Sequence, residues 1–185
     1  FIGNYSSGKM GYALAEECAS RGAEVILVSG PVTLKEHHPN IRRIDVESAE
    51  EMYEEARRAY TDADAGILCA AVADFTPDHT ADHKIKRGKD GMTIQLKPTK
   101  DIAASLGATK KEGQVLVGFA LETNDEQQNA KGKLERKNFD FIVLNSLNDK
   151  GAGFRVDTNK ISIIDRQDTT SYPLKNKSEV AKDII

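Results

Sequence analysis

Short apolar runs rich in β-branched residues alternate along this chain with longer stretches whose apolar residues recur every three or four positions. Met10, Leu14 and Cys18, with Ala13, Ala15 and Ala19 around them, predict a helix over 8–21. Ser6 or Ser7 is placed to cap its start and Gly22 to end it. Residues 24–29 (EVILVS) predict a buried parallel strand, stopped by Gly30 and Pro31. Residues 32–42 read as loop and 41–46 as a short edge strand. Ser48 followed by Glu51 is a capping-box pattern that opens a helix over 48–60, with Met52, Ala56 and Tyr60 on its apolar stripe. Residues 65–71 (AGILCAA) predict the next buried strand.

The second half continues the alternation. Met92, Ile94 and Leu96 predict a half-exposed strand over 92–97, and 101–106 a short helix. A buried strand is expected over 114–120, then a charged helix over 125–137 with Ala130 and Leu134 inward, then a strand over 141–144. Residues 146–159 read as loop, 160–165 and 170–173 as an antiparallel ribbon, and the tail from Lys177 as a helix. The expected fold is α/β: a Rossmann-like parallel sheet with helices on both faces, plus a small antiparallel ribbon.

Composition narrows the function classes. A chain of 185 residues with 39% apolar and 30% charged residues fits one globular domain over 1–185. A net charge of −3 argues against a nucleic-acid binder, while lysines clustered at 84–89, 97–111 and 131–137 leave room for an anionic small molecule. Cys18 and Cys69 lie in separate apolar segments and read as two buried thiols rather than a disulfide. No apolar run is long enough to span a membrane, and no signal peptide is seen, so a cytoplasmic location is expected. The opening Phe1-Ile2-Gly3 resembles the end of an earlier element, so a domain truncated at its N-terminus is expected.

Open α/β sheets bind ligands beyond the carboxyl ends of their strands. Here that rule selects the loop Asn4-Tyr5-Ser6-Ser7-Gly8-Lys9-Met10-Gly11, then 29–31, 70–75, 119–124 and Asn145. The first is neither a Walker A nor a Gly-x-Gly-x-x-Gly loop; a capped helix start and an anion site explain it equally well. Asp74, just past a strand, suits a sugar hydroxyl or Mg²⁺, or a turn. The basic, glycine-punctuated stretch 84–91 reads as a flap over phosphates or as a solvated charge run. Lys133 and Lys137 share a helix face. His79 and His83 have zinc-helix spacing but lack the following Glu and a third ligand, so a metal site of that kind is rejected.

The motifs become specific in combination. NYSSGKMG, AAVADF, KIKR, VGFALETN and IVLN, in this order, resemble phosphopantothenate–cysteine ligase over nearly the whole chain. In bacteria this ligase is usually the C-terminal half of a protein whose N-terminal half is an FMN-dependent decarboxylase. The resemblance implies that the carboxylate of 4′-phosphopantothenate attacks the α-phosphate of CTP, with Mg²⁺, to give an acyl-cytidylate and pyrophosphate. Cysteine then displaces CMP. It further implies that Asn4 holds the intermediate and that Ser7 and Gly8 face phosphate. Ala70 and Ala71 would contact nucleotide and acyl group through backbone, and Asp74 would bind nucleotide. Lys84 would turn the intermediate over at the base of a flap over 86–91. Phe119 would lie beside the base, and Lys133 and Lys137 would bind nucleotide. Lys97, Pro98, Thr99 and Lys100 would also contact it, although many members have Lys-Asn-Pro-Asp where this chain has Pro98-Thr99-Lys100-Asp101.

The resemblance also implies a first strand and a Gly-Gly-Thr-type loop ahead of Phe1, and a homodimer, for which 92–97 and 160–165 are the candidate contact strands. Two rival readings remain at this point. A short-chain NAD(P)-binding oxidoreductase would share the frame, but would need a Tyr-x-x-x-Lys pair. Tyr12, Tyr53 and Tyr60 are instead followed at that spacing by Glu16, Arg57 and Asp64. A non-catalytic nucleotide-binding module would bind CTP without making pyrophosphate.

Overall fold

A computed structural model describes residues 6–86, 91–122, 126–146 and 156–185. Helix α1 (Lys9–Ser20) is followed by strands β1 (Val25–Ser29) and β2 (Ile41–Asp45), helix α2 (Ala49–Tyr60) and strand β3 (Ala65–Leu68). Next come β4 (Phe75–Pro77), β5 (Leu96–Pro98), α3 (Ile102–Thr109), β6 (Val115–Glu122), α4 (Glu126–Arg136) and β7 (Phe141–Ser146). The chain closes with β8 (Thr158–Asn159), β9 (Ile161–Ile164), β10 (Thr169–Ser171), β11 (Lys175–Asn176) and α5 (Lys177–Ile184).

The helix ends follow from local chemistry. Gly22, at φ 95°, lets its N–H reach the Ala19 carbonyl while that of Ala23 reaches Cys18, a Schellman stop. At the other end the N-cap is Gly8, at φ 74°, rather than either serine. The first helical residue is Lys9, so the serines lie outside the capping position, and Ser6 Oγ faces the Gly8 N–H at 3.4 Å. The capping box of α2 forms as expected, with Ser48 Oγ accepting from Glu51 N–H at 3.1 Å and Glu51 Oε2 accepting from Ser48 N–H at 3.0 Å.

The main sheet has the order β10-β9-β7-β6-β3. Strands β3, β6 and β7 run parallel; β9 is antiparallel to β7, and β10 to β9. Period-2 alternation then sends side chains to two cores. Leu116, Ala120, Ile142 and Leu144 pack with Tyr60, Ile102, Leu106, Ala130 and Leu134 from α2, α3 and α4. Val117, Val143 and Ile161 pack with Met10, Leu14, Val180 and Ile184 from α1 and α5. Helices therefore cover both faces, as the alternation predicted.

Three expectations change. Strands β1 and β3 are not buried on all sides. Among the described residues β1 pairs with β2 alone and β3 with β6 alone, so each has an open edge, and Ile26 is 40% exposed. The 160–165 segment is no separate ribbon. As β9 it is hydrogen-bonded to β7 on one side and β10 on the other, and Ile161 and Ile164 are buried, so it offers no free edge to a partner. In the 92–97 segment only Leu96–Pro98 forms a strand, paired antiparallel to β4, and Met92, Ile94 and Leu96 are all exposed. Within the predicted 146–159 loop, β8 pairs with β11, while 147–155 lie outside the described residues. Both cysteines are free and partly buried, and burial pushes the Cys69 thiol up to about 12.

One close approach fixes the helix layer. A Cβ on Gly107 of α3 would lie 1.9 Å from the Lys137 carbonyl oxygen, just past α4. Gly107→Ala is therefore expected to destabilise the fold by about 1–3 kcal/mol through overpacking. The denaturant midpoint checks this; an unchanged midpoint would contradict the backbone contact.

Candidate functional site

Because β3, β6 and β7 are parallel, their carboxyl ends share one edge of the sheet, where a ligand is expected. Chain leaves β3 through Ala70, which is exposed, and Ala71, Val72 and Ala73, which are half-buried, to the exposed Asp74. The start of α1 lies beside the end of β1. Tyr12 Oη is 3.2 Å from Ser29 Oγ, and a Cβ on Gly8 would meet Val32 at 3.1 Å.

The loop after β5 ties this edge together. Thr99 N–H donates to the Asp74 carbonyl at 2.9 Å, and its hydroxyl donates to the Ala73 carbonyl at 2.7 Å. Two hydrogen bonds thus hold the segment beyond β3. Lys100 turns to α2: its ammonium pairs with Glu50, approaches Glu54 at 3.4 Å and lies 4.5 Å above the Tyr53 ring. Asp101 is the N-cap of α3, with Oδ1 accepting from Ala104 N–H at 2.9 Å. Its Oδ2 takes the Lys137 ammonium.

Lys137 sits just past α4, with its N–H on the Lys133 carbonyl at 3.0 Å and its side chain 21% exposed. Burial pushes its ammonium pKa down and the nearby Asp74 carboxylate pushes it up. The cation therefore stands in contact with one carboxylate, Asp101, and in the field of a second, Asp74. The segments that follow β3, β5 and α4 are thereby linked: Thr99 holds the backbone at Ala73 and Asp74, and Asp101, two residues on, holds Lys137.

The other expected site residues are distributed around it. Lys97 and Pro98 are exposed on β5, with Lys97 Nζ 3.6 Å from Asp78. Lys84 is exposed in the stretch leading to 87–90, and those four residues of the flap lie outside the described residues, as do Asn4 and 123–125. Lys133 is half-buried on α4. Phe119 packs with Met10, Ile67 and Cys69 on the α1–α5 face, opposite the layer that carries Lys137. Ser7 is half-buried before α1.

Sequence reasoning left two features unassigned. One is Asp101, whose signal was its position directly before a helix. The other is a group at the start of α1 and α5. Lys9 Nζ is 2.5 Å from Asp157 Oδ1, and Lys177, buried, donates to the Val156 carbonyl at 2.5 Å. Burial, then the Lys9 charge, lowers the Lys177 pKa, partly offset by Asp157 and Cys69. A pocket of about 330 Å³ opens beside them on α1, reaching Glu16 and His37. No cluster of three or more potential metal-binding side chains occurs among the described residues, and no described helix is long and apolar enough to cross a membrane.

Comparison with known proteins decides the family. All of residues 1–185 match the family described as the DNA/pantothenate metabolism flavoprotein C-terminal domain. The chain belongs to that family. It is 46% identical, over its full length, to the coenzyme A biosynthesis bifunctional protein CoaBC of Bacillus subtilis, of which it covers 46%. It is 59% identical to a cysteine/cysteine sulfinic acid decarboxylase from an unknown prokaryotic organism, of which it covers 52%. The chain thus spans about half the length of the curated relatives it matches. The crystal structure of the C-terminal domain of a CoaBC protein superposes with a TM-score of 0.81 at 37% identity, covering 98% of this chain and 81% of that one. The fold is that of the CoaBC C-terminal domain.

Thr99→Val removes the hydroxyl that holds Ala73 while keeping the side chain's shape. A stability loss of about 1 kcal/mol is expected, with faster exchange of the Thr99 amide. An unchanged exchange rate would mean that the loop does not depend on this bond.

Proposed function

We propose that this chain is a phosphopantothenate–cysteine ligase domain that uses CTP. The observation that carries the reading is the tie that Thr99 and Asp101 make between the segments of Asp74 and Lys137 beside the carboxyl edge, within a family that includes proteins named for coenzyme A biosynthesis. The reaction joins a carboxylic acid to an amine and needs charge neutralisation and positioning more than a protein nucleophile.

In the first half-reaction a carboxylate oxygen of 4′-phosphopantothenate forms a bond to the α-phosphorus of CTP, and pyrophosphate leaves. In the second, the cysteine nitrogen forms a bond to the acyl carbon, CMP leaves and the amine gives up a proton. Lys137, Lys133 and Lys84 supply positive charge to the phosphates, while Asp74 accepts from a nucleotide hydroxyl. Ser7 and Gly8 offer backbone N–H groups at the start of α1. Ala70 and Ala71, small beyond β3, admit the acyl-nucleotide to the backbone, and Phe119 bounds the base from the other face. Asn4 is assigned to the intermediate. The described carboxylates are too dispersed to form a metal cage. Mg²⁺ is assigned to the substrate, as the partner of the triphosphate, and no step is routed through a protein-held ion.

Three further assignments belong to this reading. The open edges of β1 and β3 suit a strand from sequence ahead of Phe1, entering between them with its Gly-rich loop at the site. Phe75, Ile85, Met92, Ile94 and Leu96 are exposed on and around the β4–β5 ribbon, and they suit a homodimer contact. The relatives' description as bifunctional supports fusion to a second domain, which this reading takes to be an FMN-dependent decarboxylase, with the whole enzyme in the cytoplasm.

The test is stepwise. CTP·Mg²⁺ with phosphopantothenate should release about one equivalent of pyrophosphate, and cysteine should then release CMP and restore turnover. CTP binding with no pyrophosphate would contradict the ligase reading and mark a binding module. Lys84→Gln is expected to slow the cysteine step, so that the acyl-cytidylate accumulates and is seen by mass spectrometry; normal turnover by that variant would remove Lys84 from the mechanism.

A further inference from the structure

We infer that Asp101 is a positioning residue for the nucleotide, acting through Lys137; the inference rests on the ligase reading. A lysine has four rotatable side-chain bonds and, unpartnered, spreads its charge over many rotamers. Here both ends of Lys137 are fixed by α3. At the backbone, Gly107 packs against the Lys137 carbonyl so closely that no methyl group fits. Asn138, at φ 52°, turns the chain and donates its Nδ2 to the Gly107 carbonyl at 3.0 Å. At the tip, the ammonium rests on Asp101 Oδ2.

Asp101 is itself immobilised, because its other oxygen caps α3 through Ala104 N–H at 2.9 Å. One carboxylate therefore transmits the position of a helix start to a cation. Its neighbour Thr99 fixes Asp74 from the same loop. With side chains 51% and 21% exposed, Asp101 and Lys137 remain open to a phosphate arriving at the edge. The ammonium is held in place before the nucleotide arrives, which reduces the ordering cost of binding.

Asp101→Asn separates the two duties. Asparagine keeps the cap but loses the charge that holds Lys137. In the full-length protein, Asp101→Asn is expected to raise the KM for CTP about tenfold, the scale of one charge-assisted contact, with kcat within about twofold and an unchanged melting temperature. Lys137→Gln should raise KM similarly, and Asp101→Asn added to it should do nothing more. Should the asparagine variant fold poorly, Asp101→Ser serves as a second cap without a carboxylate. A wild-type KM in Asp101→Asn, or effects that multiply in the double variant, would overturn the proposal. If the wild type forms no pyrophosphate, the ligase reading falls instead, and the same cycle read as CTP dissociation constants by calorimetry still decides the role of Asp101.

Discussion

The candidate site depends on a backbone-to-backbone approach, Gly107 of α3 against the carbonyl of Lys137. Any side chain there would push α3 from the end of α4, and the ion pair between Asp101 and Lys137 would separate. Packing in this layer is tight because Leu106, Ala130, Leu134 and Phe139 are all buried around it. Stability and the geometry of the candidate site are therefore linked, since the apolar core sets the distance at which Lys137 meets Asp101.

The loop from Lys97 to Asp101 turns that distance into a site. Thr99 holds the chain beyond β3, Lys100 holds α2, and Asp101 holds α3 and the end of α4. Each contact is modest, and the exposed Lys100 pairs contribute little on their own. Their value lies in joining four elements that belong to different βα units. This is also where Pro98-Thr99-Lys100-Asp101 stands in place of the Lys-Asn-Pro-Asp that the resemblance to the ligase leads one to expect. Lys100 is directed to Glu50 and Glu54 on α2, so a nucleotide contact through its ammonium requires that pair to open.

Element types were legible because β-branched runs and 3.6-residue periodicity leave little choice for α1, α2, α4, β6 and β7. The capping box at Ser48 and the stop at Gly22 were legible for the same local reason. Pairing was not. The run 160–165 has the alternation of an exposed ribbon, yet tertiary contacts make it an inner strand, because Ile161 and Ile164 complete the two cores. Met92, Ile94 and Leu96 look like one face of a half-buried strand, but all three are exposed among the described residues. Of the site, the residue types came from motif order, whereas the Asp101–Lys137 contact joins positions 36 apart and has no local signature. Ser6 and Ser7 both suit a cap by residue type, but the left-handed Gly8 moves the cap of α1 to glycine.

Nucleotide is expected to bind where Thr99 holds the chain at Asp74 and Asp101 holds Lys137. Backbone amide shifts of isotopically labelled protein, followed during titration with CTP·Mg²⁺, test it most directly. The largest shifts are expected at Asp74, Thr99, Asp101 and Lys137. Largest shifts around Tyr12, Glu16 and His37, beside the pocket on α1, with Thr99 and Lys137 unmoved, would contradict it.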